Sequence, residues 1–200
     1  MNIAFIVFDR MTTLDFYGFF DAVTRLSRID GYKEKITWDL CATTKEVKDD
    51  RGVTISVNKT SPDLAEYDMI FIPGGMPTRQ LRNDPEFIAW LQTASDSAMK
   101  VSVCTGALLL GAAGWLEDKR ATTNPTAYEL LEPYCKEVAR SRIVKDGNMI
   151  TGGGVAASID VGLFLVELLA GAEVAKGIQQ SMDYPYYRTG VPNGDGDYTV

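Results

Sequence analysis

The chain of 200 residues contains no histidine and only three cysteines, Cys41, Cys104 and Cys135. Without histidine, a catalytic cysteine has no imidazole base beside it, so proton transfer falls to a carboxylate, a hydroxyl group or water. A zinc site would need an unusual set of carboxylates, and the wide spacing of the cysteines predicts neither a disulfide framework nor a metal cluster. We therefore expect no bound metal and a reducing, cytoplasmic environment.

Positive charge and long apolar runs are also scarce. Lysine and arginine total 20 against 27 aspartate and glutamate residues, which gives a net charge of −7. This balance argues against nucleic acid and anionic membranes as partners. No apolar run approaches the roughly 20 residues that span a bilayer. The apolar start, residues 1–8, lacks the basic segment of a signal peptide and is typical of a first β-strand.

What the chain does contain is an alternation of strand-like and helical patterns. Apolar runs typical of buried strands occur at residues 2–8, 36–42, 68–72 and 100–103. Helical patterns occur at residues 14–27, 84–98, 126–131, 155–170 and 172–182, and hairpin signals at 46–57 and 138–151. The alternation predicts an α/β fold with a doubly wound, mainly parallel sheet. We expect one domain over residues 1–200, in which residues 183–200 form a surface arm.

Cys104 lies between an apolar run, residues 100–103, and a run of small and aliphatic residues, 105–114. This pattern predicts a strand, a sharp turn and a helix, with the thiol at the turn, as in a nucleophile elbow. Because a helix N-terminus offers a positive dipole and unpaired N–H groups, we expect the thiolate to be favoured. Ligands of doubly wound sheets bind beyond the carboxyl ends of the strands, which brings Cys104 close to residues 9–18 and 73–76.

Asp15 is a polar residue within an apolar segment at the mouth of this predicted cleft. One interpretation is a helix N-cap, because aspartate is a favoured capping residue. The other is a buried carboxyl group with a raised pKa that serves as the acid–base partner of Cys104. The absence of histidine favours the second interpretation, and the sequence leaves both open.

Two glycine-rich turns follow predicted strands. Gly74 and Gly75 form a tight turn, or they present a backbone N–H to the reacting centre as an oxyanion donor, beside the amide of Thr105. Residues 152–154 are all glycine but match no phosphate-binding motif, so we expect close packing of strand on helix. Cys41 ends an apolar strand and is expected to be a small buried hydrophobe.

Several of these motifs together resemble the ThiJ/PfpI superfamily, within the class I glutamine amidotransferase-like proteins. The likeness covers almost the whole chain and is nearest to the isonitrile (isocyanide) hydratase branch. The motifs that carry it are Leu14-Asp15 with Gly18, Ile72-Pro73-Gly74-Gly75, Val101-Ser102-Val103-Cys104-Thr105-Gly106-Ala107, Gly111-Ala112-Ala113-Gly114-Trp115-Leu116, Arg120-Ala121-Thr122-Thr123, Asp146-Gly147-Asn148 and Thr151-Gly152-Gly153-Gly154.

The resemblance implies a flavodoxin-like α/β/α sandwich, a homodimer and no cofactor. It also implies a reactive cysteine at Cys104, a carboxylate at Asp15 and a neighbouring hydroxyl at Thr105. Asn124 stands where the family commonly has histidine, which weakens amidase or protease proposals that depend on that residue. The remaining site residues predicted from the sequence are Gly75 and Thr105 as backbone donors, and Gly74, Met76 and Asn124 around the pocket.

The function that this resemblance implies is hydration of an isocyanide, a small-molecule substrate, to an N-substituted formamide. Cys104 would attack the terminal carbon while Asp15 delivers and later removes protons. Two alternatives remain at this stage: a cysteine enzyme acting on glyoxal-type carbonyls or amides, and a non-catalytic, redox-sensing thiol.

Overall fold

The structure, a computed structural model, describes residues 1–190 and 196–198. Its strands are β1 (Asn2–Ile6), β2 (Thr37–Ala42), β3 (Glu46–Lys48), β4 (Thr54–Ser56), β5 (Lys59–Thr60), β6 (Met69–Ile72), β7 (Met99–Val103), β8 (Arg120–Ala121), β9 (Glu137–Val138), β10 (Ile143–Asp146), β11 (Met149–Gly152) and β12 (Gly196–Tyr198). Its α-helices are α1 (Thr13–Thr24), α2 (Thr78–Leu81), α3 (Pro85–Leu91), α4 (Ala107–Ala112), α5 (Tyr128–Leu131), α6 (Ala157–Ala170) and α7 (Ala172–Ser181).

The main sheet, as far as the chain is described, has eight strands in the order β12-β10-β11-β7-β6-β1-β2-β5. Its strands are parallel except for the antiparallel pairs that β10 makes with β11 and β12. Phe5 of β1 is in register with Leu40 on one side and Phe71 on the other. The chain thus leaves β1 towards β2 and returns to β6 on the opposite side, which creates a topological switch point between β1 and β6. The α/β prediction with a mainly parallel sheet is confirmed.

Helices cover the sheet because its central strands are apolar on both faces. Helices α1 and α6 pack against each other, and α4 contacts α2 and α5. Gly162 of α6 is required at the first of these contacts, because a Cβ there would lie 2.7 Å from Ala22 Cβ. Beneath α1, Phe19 stacks on Phe71 of the sheet with ring centroids 3.9 Å apart. This packing fixes the first turn of α1 against the carboxyl end of β6.

Helix α3 is shorter than predicted, ending at Leu91 rather than near residue 98. The segment after α3 is held by the buried ammonium group of Lys100, which donates to the carbonyl oxygens of Ser95 at 2.8 Å and Ala98 at 3.1 Å. The chain therefore forms a loop between α3 and β7.

The predicted surface arm, residues 183–200, is partly built into the fold. Tyr187 is buried, with its hydroxyl donating to Glu167 of α6 at 2.8 Å and its carbonyl accepting from Gln179 of α7 at 2.7 Å. Strand β12 pairs with β10, and Tyr198 packs on Phe164 with centroids 4.7 Å apart. Burial of Tyr187 and Tyr198 thus attaches this segment to the fold despite its polar composition. Residues 191–195 and 199–200 of the predicted arm lie outside the described part. Within that part, no helix has the length and apolar character needed to cross a membrane.

Candidate active site

Cys104 lies at the exit of β7, where a short 3-10 turn leads into α4. Its backbone is left-handed, with φ of +55°, a conformation that costs a residue with a side chain about 1–3 kcal/mol and persists only where neighbours enforce it. Two hydrogen bonds do so: the Cys104 amide donates to Gly153 O at 2.9 Å, and Thr123 Oγ1 donates to Cys104 O at 2.7 Å. The strand, sharp turn and helix predicted around this thiol are therefore present.

Asp15 lies in the first turn of α1 and is fully buried. Thr12, not Asp15, is the N-cap residue, so the capping interpretation is wrong. The carboxylate instead turns towards the switch point, where its Oδ2 accepts a hydrogen bond from Gly74 N–H at 3.1 Å. Its Oδ1 is buried and has no hydrogen-bond partner among the described residues. A buried acceptor without a partner is costly, and such atoms concentrate at reactive sites.

Gly74 shows how closely the reactive groups approach one another. A Cβ at this position would lie 2.8 Å from Asp15 Oδ2, 2.8 Å from Cys104 Cβ and 2.6 Å from Thr105 N. These distances are below van der Waals contact, so only glycine fits. The switch point therefore brings the exits of β1, β6 and β7 together, and the predicted residues Asp15, Gly74, Cys104 and Thr105 share one site.

Thr105 joins the elbow to the glycine turn. Its Oγ1 accepts from Gly75 N–H at 3.0 Å and donates to Gly75 O at 3.1 Å. The Gly75 amide is therefore occupied by the Thr105 side chain, whereas the Thr105 N–H lowers the pKa of the Cys104 thiol. Met76, the next residue, is 71% exposed.

Asn124 points its amide at the sulfur, with Nδ2 3.5 Å from Cys104 Sγ. Thr126 sets this orientation, because its N–H and hydroxyl both donate to Asn124 Oδ1, at 3.0 and 2.8 Å. Gly154 supplies the space, since a Cβ there would lie 2.0 Å from Nδ2. Thr126 and Gly154 were missed as site residues from the sequence. An Asx turn at Asn124-Pro125-Thr126 was a signal that could have found the first.

Of the other two glycines, Gly152 packs as expected. A Cβ there would lie 2.4 Å from Val161 Cγ2 on α6. Gly153 has room, its nearest neighbour to an added Cβ being Arg142 O at 3.7 Å. The strand-on-helix interpretation of the triplet therefore holds for Gly152, whereas Gly154 serves the site.

The protonation of the site follows from its burial. Desolvation raises the pKa of Asp15 to about 7, although the Cys104 thiol and the Gly74 amide both stabilise the carboxylate. Desolvation, and then the Asp15 charge, raise the pKa of Cys104 to about 12, against the opposing effects of Thr105 N–H and Asn124. The expectation of a resting thiolate is therefore wrong, because the six residues of α4 do not offset burial beside a carboxylate. The two groups titrate as a coupled pair, which carries two protons below about pH 7 and one proton above it.

The other cysteines lie elsewhere and are unpaired. Cys41 is fully buried at the end of β2, as expected for a small hydrophobe, with Sγ 3.6 Å from the Tyr67 hydroxyl. Cys135 is half-buried, with Sγ 3.6 Å from Leu131 O. Nowhere in the described residues do three histidine, cysteine, aspartate or glutamate side chains group together in a way that could hold a metal ion.

An opening of about 370 Å³ lies against the first turn of α1, where Thr12 and Thr13 line it; Asp15, Cys104 and Asn124 are not among its lining residues. Leu14 and Tyr17 line one side and are unusually exposed for apolar residues, and Val155, which follows Gly154, lines the other. Asp50 and Arg51 form a polar edge. The lining of this opening is therefore part apolar and part polar.

The fold and the elbow define a class of flavodoxin-like α/β proteins with a buried cysteine at the switch point. The model of the DJ-1/PfpI family matches residues 1–168. The chain belongs to this family.

Comparison with individual proteins agrees with this assignment. The chain is 33% identical over 198 residues to isonitrile hydratase of Pseudomonas putida, an alignment that covers 96% of this chain and 84% of the relative. It is 30% identical to protein DJ-1alpha of Drosophila melanogaster over 147 residues, 70% of this chain and 67% of that protein. A solved ThiJ/PfpI family protein from Pseudomonas syringae superposes with a TM-score of 0.83 at 29% identity, covering 92% of this chain and 75% of that chain.

Proposed function

We propose that this protein is a cysteine-dependent lyase of the isonitrile hydratase type, which adds water to an isocyanide, R–N≡C, and releases an N-substituted formamide. The observation that carries the proposal is the buried pair of Asp15 and Cys104, which shares one proton in a chain without histidine. The alignment with isonitrile hydratase over nearly the whole chain supports it.

In the first step, the Cys104 sulfur forms a bond to the terminal carbon of the isocyanide. The single proton of the pair, which rests on the sulfur, passes to the Asp15 carboxylate and from there to the same carbon, which gives a thioimidate, R–N=CH–S–Cys. Asp15 is left as a carboxylate, so the charge of the pair is unchanged. The Thr105 N–H and the Asn124 amide stabilise the sulfur as it gives up its proton.

In the second step, water adds to the thioimidate carbon. One of its protons reaches the nitrogen, and the other reaches the Asp15 carboxylate, whose unpartnered Oδ1 is free to accept it. The carbon–sulfur bond then breaks, and the formamide leaves with the oxygen of water. The pair regains its single proton, so the cycle needs no oxidant, metal or cofactor.

The surroundings favour this chemistry over the alternatives. A redox-sensing cysteine has a low pKa and is accessible, whereas burial holds Cys104 as a thiol with a pKa of about 12. An amidase needs a group that protonates the leaving nitrogen, and Asn124 cannot replace an imidazole in that role. An isocyanide needs its proton on carbon, beside the sulfur, where Asp15 lies.

The proposal includes the assembly and location. Leu14, Tyr17 and Met76 are exposed apolar residues on the segments around Asp15 and after Gly75, and a second copy of the chain would cover them in a homodimer. Sedimentation should give twice the 22.0 kDa mass of one chain, and a single-chain mass at micromolar concentration would refute the dimer. The unpaired cysteines fit a cytoplasmic protein.

The direct test follows the loss of para-nitrophenyl isocyanide and the appearance of its formamide in the presence of a chelator. The wild type and Cys41→Ala should both turn over, and Cys104→Ala should be inactive. Glyoxal and simple amides, assayed in parallel, should not be consumed. Equal rates for wild type and Cys104→Ala would refute the hydratase, and Cys104-dependent consumption of glyoxal alone would establish the carbonyl enzyme instead.

A further inference from the structure

A second cavity, of about 640 Å³, lies apart from Cys104 at the carboxyl ends of β1 and β2. Residues 7–10 and 42–44, which follow these two strands, form two of its sides, and α2 and α3 close the third. Cys104, Asp15 and Asn124 are not among its lining residues. Its size lies within the roughly 300–1,000 Å³ of small-molecule sites.

The floor of this cavity is aromatic. Phe8, Phe87 and Trp90 form a chain of edge-to-face contacts, with centroids 6.3 Å apart for the first pair and 5.6 Å for the second. Trp90 is fixed because its indole N–H donates to Pro62 O at 2.9 Å. Rigid rings of this kind offer apolar contact area and an electron-rich face at low entropic cost.

The rim carries unbalanced negative charge. Asp9, Asp84 and Glu86 line the cavity together with a single guanidinium, that of Arg10. Among the ion pairs formed by the described residues, none involves any of these four side chains. Asp9 and Asp84 each hold a backbone N–H through Oδ1, which fixes the side chain without neutralising its charge.

We propose that this cavity is a second binding site, which takes a small organic cation: a primary or quaternary amine whose apolar body rests on the aromatic floor. The acidic rim selects a cationic end, and the aromatic floor selects an apolar body. A divalent metal ion does not suit the site, because no three carboxylates in the described residues converge as ligands. The neutral isocyanide proposed for Cys104 makes no use of the rim charge, so the two sites take different ligands.

The test compares three probes of one shape: phenethylammonium, 2-phenylethanol and 3-phenylpropionate. Calorimetric titration should show saturable binding of the ammonium, at least tenfold tighter than that of the alcohol, and no binding of the carboxylate. The chain has three tryptophans, so its indole N–H signals in a proton–nitrogen spectrum report the location, with Trp90 assigned from Trp90→Phe. The Trp90 signal should shift, and those of Trp38 and Trp115 should not.

The variant is Asp84→Asn with Glu86→Gln, which removes two charges and keeps the shape. Asparagine also caps helices, so α3 should persist, and a melting curve checks it. Ammonium binding should weaken about five- to tenfold, while the alcohol should be unaffected. The matched control is Glu129→Gln with Glu173→Gln, exposed acids in the first turns of α5 and α7. Equal binding of ammonium and alcohol, a shift at another tryptophan, or equal weakening by the control pair would overturn the proposal.

Discussion

Cys104 and Cys41 are two buried thiols at the carboxyl ends of parallel strands, each with an aspartate nearby, yet their surroundings differ. The Cys41 sulfur lies 3.6 Å from the Tyr67 hydroxyl, which itself donates to Asp39 Oδ2 at 2.9 Å. A phenol thus stands between thiol and carboxylate. At Cys104 the described residues include no such phenol: a Cβ added at Gly74 would lie 2.8 Å from both Asp15 Oδ2 and Cys104 Cβ, and the two groups shift each other's pKa.

The comparison separates burial from reactivity. Burial raises the pKa of both thiols, to about 11 for Cys41 and about 12 for Cys104. Of the two, only Cys104 has a left-handed backbone and a nearby carboxyl group, that of Asp15, whose pKa is raised to about 7. The reactive thiol is therefore the one that shares its proton with a carboxylate, and a buried thiol alone is a packing residue.

The largest expected difference between the two regions follows removal of each carboxylate. Asp15→Asn should lower kcat/KM for the isocyanide about 10²- to 10³-fold, because no group remains to protonate carbon and activate water. Asp39→Asn, the matched change near Cys41, should stay within about twofold of wild type, since it touches no reacting atom. Steady-state kinetics of the two variants checks both. Similar losses in the two would remove the distinction between the regions.

The pH dependence sharpens the role of Asp15. Its pKa is about 7 in the fold against 3.8 for an unburied aspartate, so between these values the native state binds more protons than the unfolded state. The free energy of unfolding should then fall as pH rises from about 4 to about 7, and Asp15→Asn should lose that slope. Activity should rise through pH 7, as the pair loses its second proton.

Urea denaturation at several pH values, together with pH–rate profiles, measures both effects. Glu129→Gln, an exposed acid away from the site, is the control that should retain the wild-type slope. If Asp15→Asn kept that slope, the carboxyl group would not have the raised pKa on which the mechanism depends.

A smaller effect on kcat is expected from a substitution that crowds the Asn124 side-chain amide, which lies next to the Cys104 sulfur. Gly154→Ala places a methyl group where Asn124 Nδ2 lies, 2.0 Å away, and should displace the amide from Cys104. We expect kcat to fall about tenfold, which corresponds to loss of one hydrogen bond of about 1.4 kcal/mol to a developing charge. Gly153→Ala is the matched control, because its added Cβ meets nothing within 3.7 Å. Equal kcat values for the two variants would show that Asn124 takes no part.

The sequence predicts the fold and the central residues of the site well, for physical reasons. The spacing of apolar residues and the residue types of tight turns are local features of the sequence. They therefore predict the buried strands, the Asp146-Gly147 hairpin and the turn at Cys104. The convergence of Asp15, Gly74 and Cys104 follows from the switch-point rule once the sheet is parallel.

What the sequence does not reveal depends on distances between remote segments. Tertiary packing sets the space that Gly154 leaves for Asn124 and the hydrogen bond that occupies the Gly75 amide. It also sets the hydrogen bonds from the Lys100 ammonium group to the loop after α3. The thiolate that the sequence predicts at Cys104 is also wrong. The helix dipole behind that prediction is a local feature, whereas desolvation, which raises the pKa of the thiol, is a property of the whole fold.

The smallest expected functional effect is that of Cys41→Ala. This substitution removes a fully buried sulfur and leaves the Tyr67 hydroxyl with Asp39 as its partner, so the free energy of unfolding should fall by about 1–2 kcal/mol. Activity should remain within about twofold, because Cys41 contacts no group of the Cys104 site. Chemical denaturation and the isocyanide assay on the same preparation measure the two quantities. A loss of turnover greater than fivefold with a normal denaturation curve would mean that Cys41 takes part in the reaction. A buried thiol that is separated from its nearest carboxylate by a tyrosine would then not be inert.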